Sequence, residues 1–204
     1  MEQLIINKYG LQKNGGQLYN KINSISPSKW HQYGIKRWIK NMKKKRIVTQ
    51  IGNIFCVQLD NKRKRFFQYV AKDMTQLNSS VIRVFKRDYA SDSTPEINVI
   101  VSDCIDFYAH TVLRVGIERG AWCKVGTSTD IGNPDNIMFR WFDEMDFSGI
   151  TKSFNWYVWK INKPETFIGE MEESYKKYDL GMVYSYKNIV ARIRTGKYLT
   201  RDID

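Results

Sequence analysis

IGNIFCVQLDNKRKRFFQYV, residues 51–70, decides how this chain is read. An apolar run from Ile54 to Leu59 stops at Asp60-Asn61. Four basic residues, Lys62 to Arg65, come next, and an aromatic-rich run from Phe66 to Ala71 follows them. Two short runs rich in β-branched and aromatic residues, separated by turn-forming Asp and Asn, predict a β-hairpin. The four cations then have three readings: a solvated tip, a surface for an acidic partner, or a phosphate contact. The first is preferred. Lys62 and Arg63 are placed at the tip, and Lys64 and Arg65 at the start of the second strand. Reversing Lys62 and Arg63 to Glu is expected to leave the fold intact.

Working outward, Val81–Phe85 reads as a third strand after a polar loop near residues 75–80, which gives an antiparallel meander. Residues 90–95 form a loop. Thr94-Pro95-Glu96 resembles a helix start, although the INVIV after it is β-branched. Ile105–Leu113 and Ala121–Val125 read as strands, and residues 127–136 as a loop. FRWFDEMDF, residues 139–147, mixes aromatics with an acidic patch. In Asn155–Ile161, Trp156, Val158 and Lys160 alternate with Tyr157, Trp159 and Ile161, as in a strand. EMEESYKKY, residues 170–178, suggests a short helix. A second helix is expected near Tyr186–Thr195, with Ile189, Ile193 and Val190 set against Arg192 and Arg194.

Upstream, residues 1–9 carry a short strand pattern and Asn14-Gly15-Gly16 marks a turn. Ser26-Pro27 reads as a helix start. The amphipathic helix then runs to about Lys44, with Trp30, Tyr33, Trp38, Ile39 and Met42 inward and Lys36, Lys40 and Lys43 on another face. Its KKKR end suits the negative pole of the helix dipole. The expected organisation is an N-terminal extension, 1–45, bearing this basic helix, and a β-rich domain, 46–204. The fold class is α+β, mostly β: a curved antiparallel sheet or partly open small barrel, with the basic N-terminal helix and a C-terminal helical segment.

At 204 residues the chain is long enough to bury a full core without staples. The net charge of +12 attracts acidic proteins, polyanions or anionic membranes without choosing among them. Cys56, Cys104 and Cys123 are odd in number and contain no CxxC, so they read as reduced, mostly buried thiols of a reducing compartment. The opening MEQLIINKYG has no secretory features, and no run is long enough to span a bilayer. The expectation is a cytoplasmic protein.

Catalysis needs converging groups. Asp103, Cys104, Asp106 and His110 in SDCIDFYAH form the best local set. On a strand, Cys104 and His110 stand about 20 Å apart, too far for a catalytic dyad. Asp143, Glu144 and Asp146 have no complementary histidine and read as a solvated acidic loop. No phosphate-loop, dinucleotide, zinc-protease or nucleophile-elbow motif is present, so no cofactor, metal or catalytic residue is expected. The nucleic-acid reading rests on Lys36, Arg37, Lys40, Lys43, Lys44, Lys45 and Arg46 for phosphates, with Trp30 and Trp38 for stacking.

Three stretches carry a family likeness: the opening IGNIFCVQLDNKRKRFFQYV, then GAWCKVGTSTDI at 120–131 and GMVYSYKNIVARIRTGKY at 181–198. Together they resemble immunity protein family 26 of bacterial polymorphic-toxin systems, over about residues 46–198. Asn53 departs from the pattern, where an aspartate commonly follows the glycine. The Gly-x-Ile-Phe opening is also similar to the small SH3-like barrels of toxin–antitoxin endonucleases, but their catalytic constellation is not found here. The resemblance to the immunity family implies a mostly β, non-enzymatic protein that neutralises a cognate toxin by direct contact. With a charge of +12, that toxin is expected to present an acidic surface. The candidate partner-binding residues are Trp30, Lys36, Arg37, Lys40, Lys43 and Lys44 on the helix, and Lys62 and Arg63 at the hairpin tip. The alternative is a nucleic-acid-binding module built on the Trp/Lys/Arg helix.

Overall fold

A β-hairpin forms where the opening stretch places it. In the computed structural model, which describes residues 47–143 and 153–199, β1 (Asn53–Gln58) pairs antiparallel with β2 (Arg63–Asp73), Cys56 opposite Phe66 and Gln58 opposite Lys64. The described residues belong to one compact unit, Ile47–Asp204. β3 (Ser79–Phe85) completes the meander. With β4 (Tyr89–Ala90), β5 (Ile105–Thr111), β6 (Cys123–Thr127) and β11 (Val183–Tyr184), these strands form a seven-stranded sheet of order β11-β5-β3-β2-β1-β6, with β4 paired to β2. A second sheet has the order β10-β7-β8-β9, from β7 (Met138–Phe142), β8 (Trp156–Lys160), β9 (Thr166–Gly169) and β10 (Asp179–Leu180).

The expected antiparallel sheet is corrected in two respects. β11 runs parallel to β5, and β10 parallel to β7, so both sheets are mixed. The large sheet ends at β11 and β6 without pairing between them, so among the described residues it is open and not a barrel. The expected 1–45 extension and its basic helix lie outside the described residues.

The central strands read as runs because both faces of the large sheet are covered. On one face Phe55, Val57, Phe67, Tyr69, Ile82, Val84, Phe107 and Ala109 pack with Leu113, Trp122, Ile189 and Ile193. These last residues come from α2 (Leu113–Glu118), α3 (Tyr186–Thr195) and the chain before β6. On the other face, Ile54, Phe66 and Phe85 meet α1 (Ile97–Val101), while Val70, Ala71 and Val81 meet Phe139 and Trp159 of the second sheet.

α3 forms over the residues its pattern predicts. The Ser185 hydroxyl accepts from the Asn188 amide at 3.3 Å, Ile189 and Ile193 are buried one turn apart, and Gly196 at φ 77° closes the helix. Gly196 supplies the left-handed residue that the C-terminal turn requires, and its amide returns to the Arg192 carbonyl at 2.8 Å.

Four further expectations are corrected. β6 starts two residues late because Trp122 turns into the core, where its indole donates to the Leu113 carbonyl at 3.0 Å. A Cβ on Gly116 would lie 1.9 Å from that ring, so α2 admits Trp122 only by having glycine there. EMEESYKKY forms a 3-10 turn, Glu173–Tyr175, and not a helix, because it has no apolar stripe to bury. The aromatic–acidic segment contains β7. Cys104 and Cys123 are exposed and Cys56 is half-buried, so the cysteines are not mostly buried.

Candidate anion-binding cleft

At the hairpin tip, nearly every cation is already engaged. Asp60 organises the turn: Oδ1 accepts from the amides of Lys62 and Arg63, both at 2.8 Å, and Oδ2 pairs with the Arg63 guanidinium at 2.8 Å. The Lys62 amide and the Arg63 side chain hold the Asp60 carboxyl below its usual range. Arg63 reaches Asp88 at 3.0 Å; Arg65 bridges Asp88 at 2.7 Å and Asp106 at 2.9 Å. Lys64 donates to the carbonyls of Ser91 and Ser93. Of the four, Arg63 and Arg65 make ion pairs among the described residues, Lys64 is held by carbonyls alone, and Lys62 makes no ion pair.

The SDCIDFYAH set does not converge. Asp103 accepts the Arg87 amide at 2.7 Å and the Cys104 amide at 2.8 Å, and Asp106 is taken by Arg65. Cys104 lies outside β5. His110 points into the core between the sheets, its ring 4.2 Å from that of Phe139, and its Nε2 is 3.1 Å from Asp73 Oδ2. Trp159 donates to the same oxygen at 3.0 Å. Burial pushes the His110 pKa down against the pull of Asp73. Burial alone would push Asp73 up, but donors from Trp159, the Gln76 amide and His110 hold it below its usual value. A neutral His110 then donates from Nε2, which leaves the buried Nδ1 without a partner. Both residues are fully buried; the pair ties β2 to β5 within the large sheet, and the Trp159 indole on Asp73 extends it to the second sheet.

A second polar core element pins the loop after β6 to the large sheet. The Arg83 guanidinium donates to Gln68 Oε1 and to the Asp130 carbonyl, both at 2.8 Å, and Gln68 donates to the carbonyls of Gly52 and Asp130. Among the described residues, no group of three or more His, Cys, Asp or Glu is placed to hold a metal ion, and no helix is long and apolar enough to cross a membrane.

Among the described residues, one surface feature that gathers unpaired cations is a cleft of about 410 Å³ beside α3. One wall is the outer face of α3, where Lys187, Val190, Ala191 and Arg194 follow the i, i+3, i+4, i+7 spacing of a single helical face. The other wall is Arg119-Gly120-Ala121 at the end of α2, with Gln58 at the end of β1, and Tyr186 and Leu199 complete the lining. Three cations, Arg119, Lys187 and Arg194, face this space, and no carboxylate lines it. Arg194 is oriented by donating to the Gln58 carbonyl at 2.8 Å, while Arg119 and Lys187 make no ion pair among the described residues. Arg192, two residues from Arg194, turns to the opposite side. It pairs with Asp179 at 2.7 Å and lies 4.2 Å over Phe107 and 4.6 Å over Tyr198. Burial pushes the Asp179 carboxyl up, against the pull of Arg192 and a hydrogen bond from the Tyr108 amide.

Of the residues proposed from sequence, Trp30, Lys36, Arg37, Lys40, Lys43 and Lys44 lie outside the described residues, as do Glu144 and Asp146. Lys62 sits at the hairpin turn as expected, whereas Arg63, also placed at the tip, is the first residue of β2 and pairs with Ala90 of β4. The cleft cations were missed, although the Lys187–Arg194 spacing was visible in a segment already read as a helix. No protein-family model matches this chain, and neither the curated proteins nor the solved structures contain a significant match, so the family resemblance rests on the quoted strand patterns alone.

Proposed function

We propose that this protein is a non-enzymatic binding protein that neutralises a toxin by direct contact, and that an acidic surface of that partner docks in the cleft beside α3. The observation that carries the reading is the set of three cations, Arg119, Lys187 and Arg194, around a cleft whose lining holds no acid. Uncompensated charge steers a complementary partner and raises its association rate. Tyr186, Val190 and Leu199 beside the cations offer apolar contact, which favours long residence on a protein partner. Tyr186 is the single aromatic residue in the lining, whereas single-stranded nucleic acid is held on successive stacking rings.

The test compares wild type with Arg119→Glu/Lys187→Glu in a pull-down from the native cell, with and without nuclease. One stoichiometric partner that survives nuclease and is lost with the variant is the expected result. Co-expression should then protect cells from that partner in the wild type and not in the variant. Recovery of nucleic acid, with binding that falls log-linearly as salt rises, replaces this reading with the nucleic-acid one.

A further inference from the structure

Among the described residues β6 is an edge strand paired with β1 alone, and its register sets Cys123 opposite Cys56. Directly opposed residues of an antiparallel pair share one face, with Cβ atoms roughly 4.5–5.5 Å apart. A disulfide needs roughly 3.5–4.5 Å, so closure asks for a movement of about 1 Å. An edge strand with a register irregularity between Ile54 and Phe55 has the freedom to make it.

Their surroundings differ. Cys123 is exposed, whereas Cys56 is half-buried against the cluster of Ile54, Phe66 and Phe85. Lys64, anchored by the carbonyls of Ser91 and Ser93, places a fixed positive charge close to both sulfurs. The neighbouring Cys56 thiol, with support from Lys64, holds the Cys123 thiol below its usual range, and Cys123 together with burial pushes Cys56 up. Cys123, the exposed sulfur, is therefore the one that ionises more readily, and the half-buried Cys56 the one that keeps its proton. An accessible, ionised sulfur beside a second thiol is the arrangement of a reactive cysteine with its resolving partner.

We propose that Cys56 and Cys123 form a peroxide-reactive dithiol that closes reversibly into a cross-strand disulfide tying edge strand β6 to β1. In the first step the Cys123 thiolate attacks one oxygen of a hydroperoxide. The S–O bond forms, the O–O bond breaks, and the leaving oxygen departs as water or alcohol after taking a proton. The product is a sulfenic acid on Cys123. The Cys56 sulfur then attacks Cys123, the S–S bond forms, and the S–O bond breaks to release the hydroxyl as water with the Cys56 proton. Two thiols lose two electrons, and the peroxide gains them. A dithiol reductant returns two electrons and two protons to reopen the pair.

The test treats the full-length reduced chain with limiting hydrogen peroxide at neutral pH. Remaining thiols are blocked, the protein is digested without reductant, and the peptides are weighed. A Cys56–Cys123 cross-linked peptide, lighter by two hydrogens than its parts, is expected, with Cys104 blocked and unlinked. Adding a dithiol should abolish the cross-link. Cys56→Ser should accumulate a dimedone-trappable sulfenic acid on Cys123. Cys123→Ser should leave Cys56 unreacted, and Cys104→Ser should change nothing. Cys56 and Cys123 recovered as separate blocked thiols, or either one linked mainly to Cys104, overturns the proposal. So does Cys56→Ser with no trappable acid on Cys123.

Discussion

The β1–β2 hairpin tip and the cleft beside α3 are both rich in basic side chains, but they differ in what stands opposite the charge. At the tip, Asp60, Asp88 and Asp106 are interleaved with Arg63 and Arg65, and backbone carbonyls hold Lys64. In the cleft, Arg119, Lys187 and Arg194 meet apolar side chains and a carbonyl, with no acid in the lining. The tip uses its cations to fix a turn and to join β2 to β4 and β5. The cleft leaves its own available to a ligand. Density of charge along a chain therefore says little about its availability, because availability depends on which acids the fold brings up from elsewhere.

The sharpest form of this contrast lies within α3, where Arg192 is spent on a buried carboxylate while Arg194, held by one carbonyl, pairs with no acid among the described residues. Arg192→Ala removes the partner of an Asp179 carboxylate that is mostly buried, and should cost about 3 kcal/mol or more in denaturant unfolding at neutral pH. Arg194→Ala removes one exposed hydrogen bond and should cost under about 1 kcal/mol. The sign of the pH effect follows from Asp179. Its folded pKa is already raised by burial and rises further without Arg192. Such a group favours the fold below its unfolded pKa near 3.8, and that contribution is lost as pH rises through the folded value. The deficit of Arg192→Ala relative to wild type should therefore shrink as the solution is acidified. Equal losses for the two arginines would break the division of α3 into a structural and a binding side.

His110 is a third case, a cation the fold refuses. Its folded pKa lies below the ordinary 6.5, so the unfolded chain binds the extra proton in the window between the two values. Stability is fully present above about 6.5 and should fall as pH drops through that window, by up to about 1.4 kcal/mol per pH unit. Asp73 acts separately, since its depressed pKa contributes stability that is lost only at still lower pH. His110→Gln should remove the slope near pH 6 while lowering overall stability. A slope that persists in the variant would assign the proton elsewhere.

At the tip, Arg65→Ala leaves Asp88 and Asp106 without their shared cation. It should cost about 1 kcal/mol, between the usual values for exposed and buried pairs. Arg65→Lys should recover only part, because one ammonium replaces the guanidinium that spans two carboxylates. Full recovery would mean that the two aspartates need a positive charge and not the forked geometry.

Much of the scaffold is legible from local pattern. The runs of β1, β2 and β3, the alternation of β8, and the cap, stripe and glycine of α3 are local signals, and the structure follows them. β7 escaped because Phe139 and Phe142 point to opposite faces beside half-buried Arg140 and Trp141, so Phe-Arg-Trp-Phe does not alternate by polarity. The rest depends on distance along the chain. Asp73 and His110 are 37 residues apart, and the cleft joins Gln58, Arg119 and Arg194 across 136. Local reading rejected a Cys104–His110 dyad by setting both on one extended strand; β5 begins after Cys104, and His110 is instead committed to Asp73 and Phe139 in the core. It had no means of supplying Asp73 or of assembling three scattered cations.

The smallest stability effect completes the contrast. Lys62 is exposed, makes no ion pair among the described residues, and contributes its backbone amide, not its ammonium, to Asp60. Lys62→Glu should therefore shift stability by no more than about ±0.5 kcal/mol, read as an unchanged midpoint of thermal unfolding. Arg63→Glu is a different test, because it places a third acid beside Asp60 and Asp88 and should show a clear loss where Lys62→Glu shows none. The sequence treats these neighbours alike, and only the aspartates around them separate the two. In binding, Lys62→Glu should leave the partner's affinity nearly unchanged while Lys187→Glu weakens it, although each replaces one exposed lysine by one glutamate. If both weaken it equally, the partner responds to net charge, and the cleft geometry has no special part in recognition.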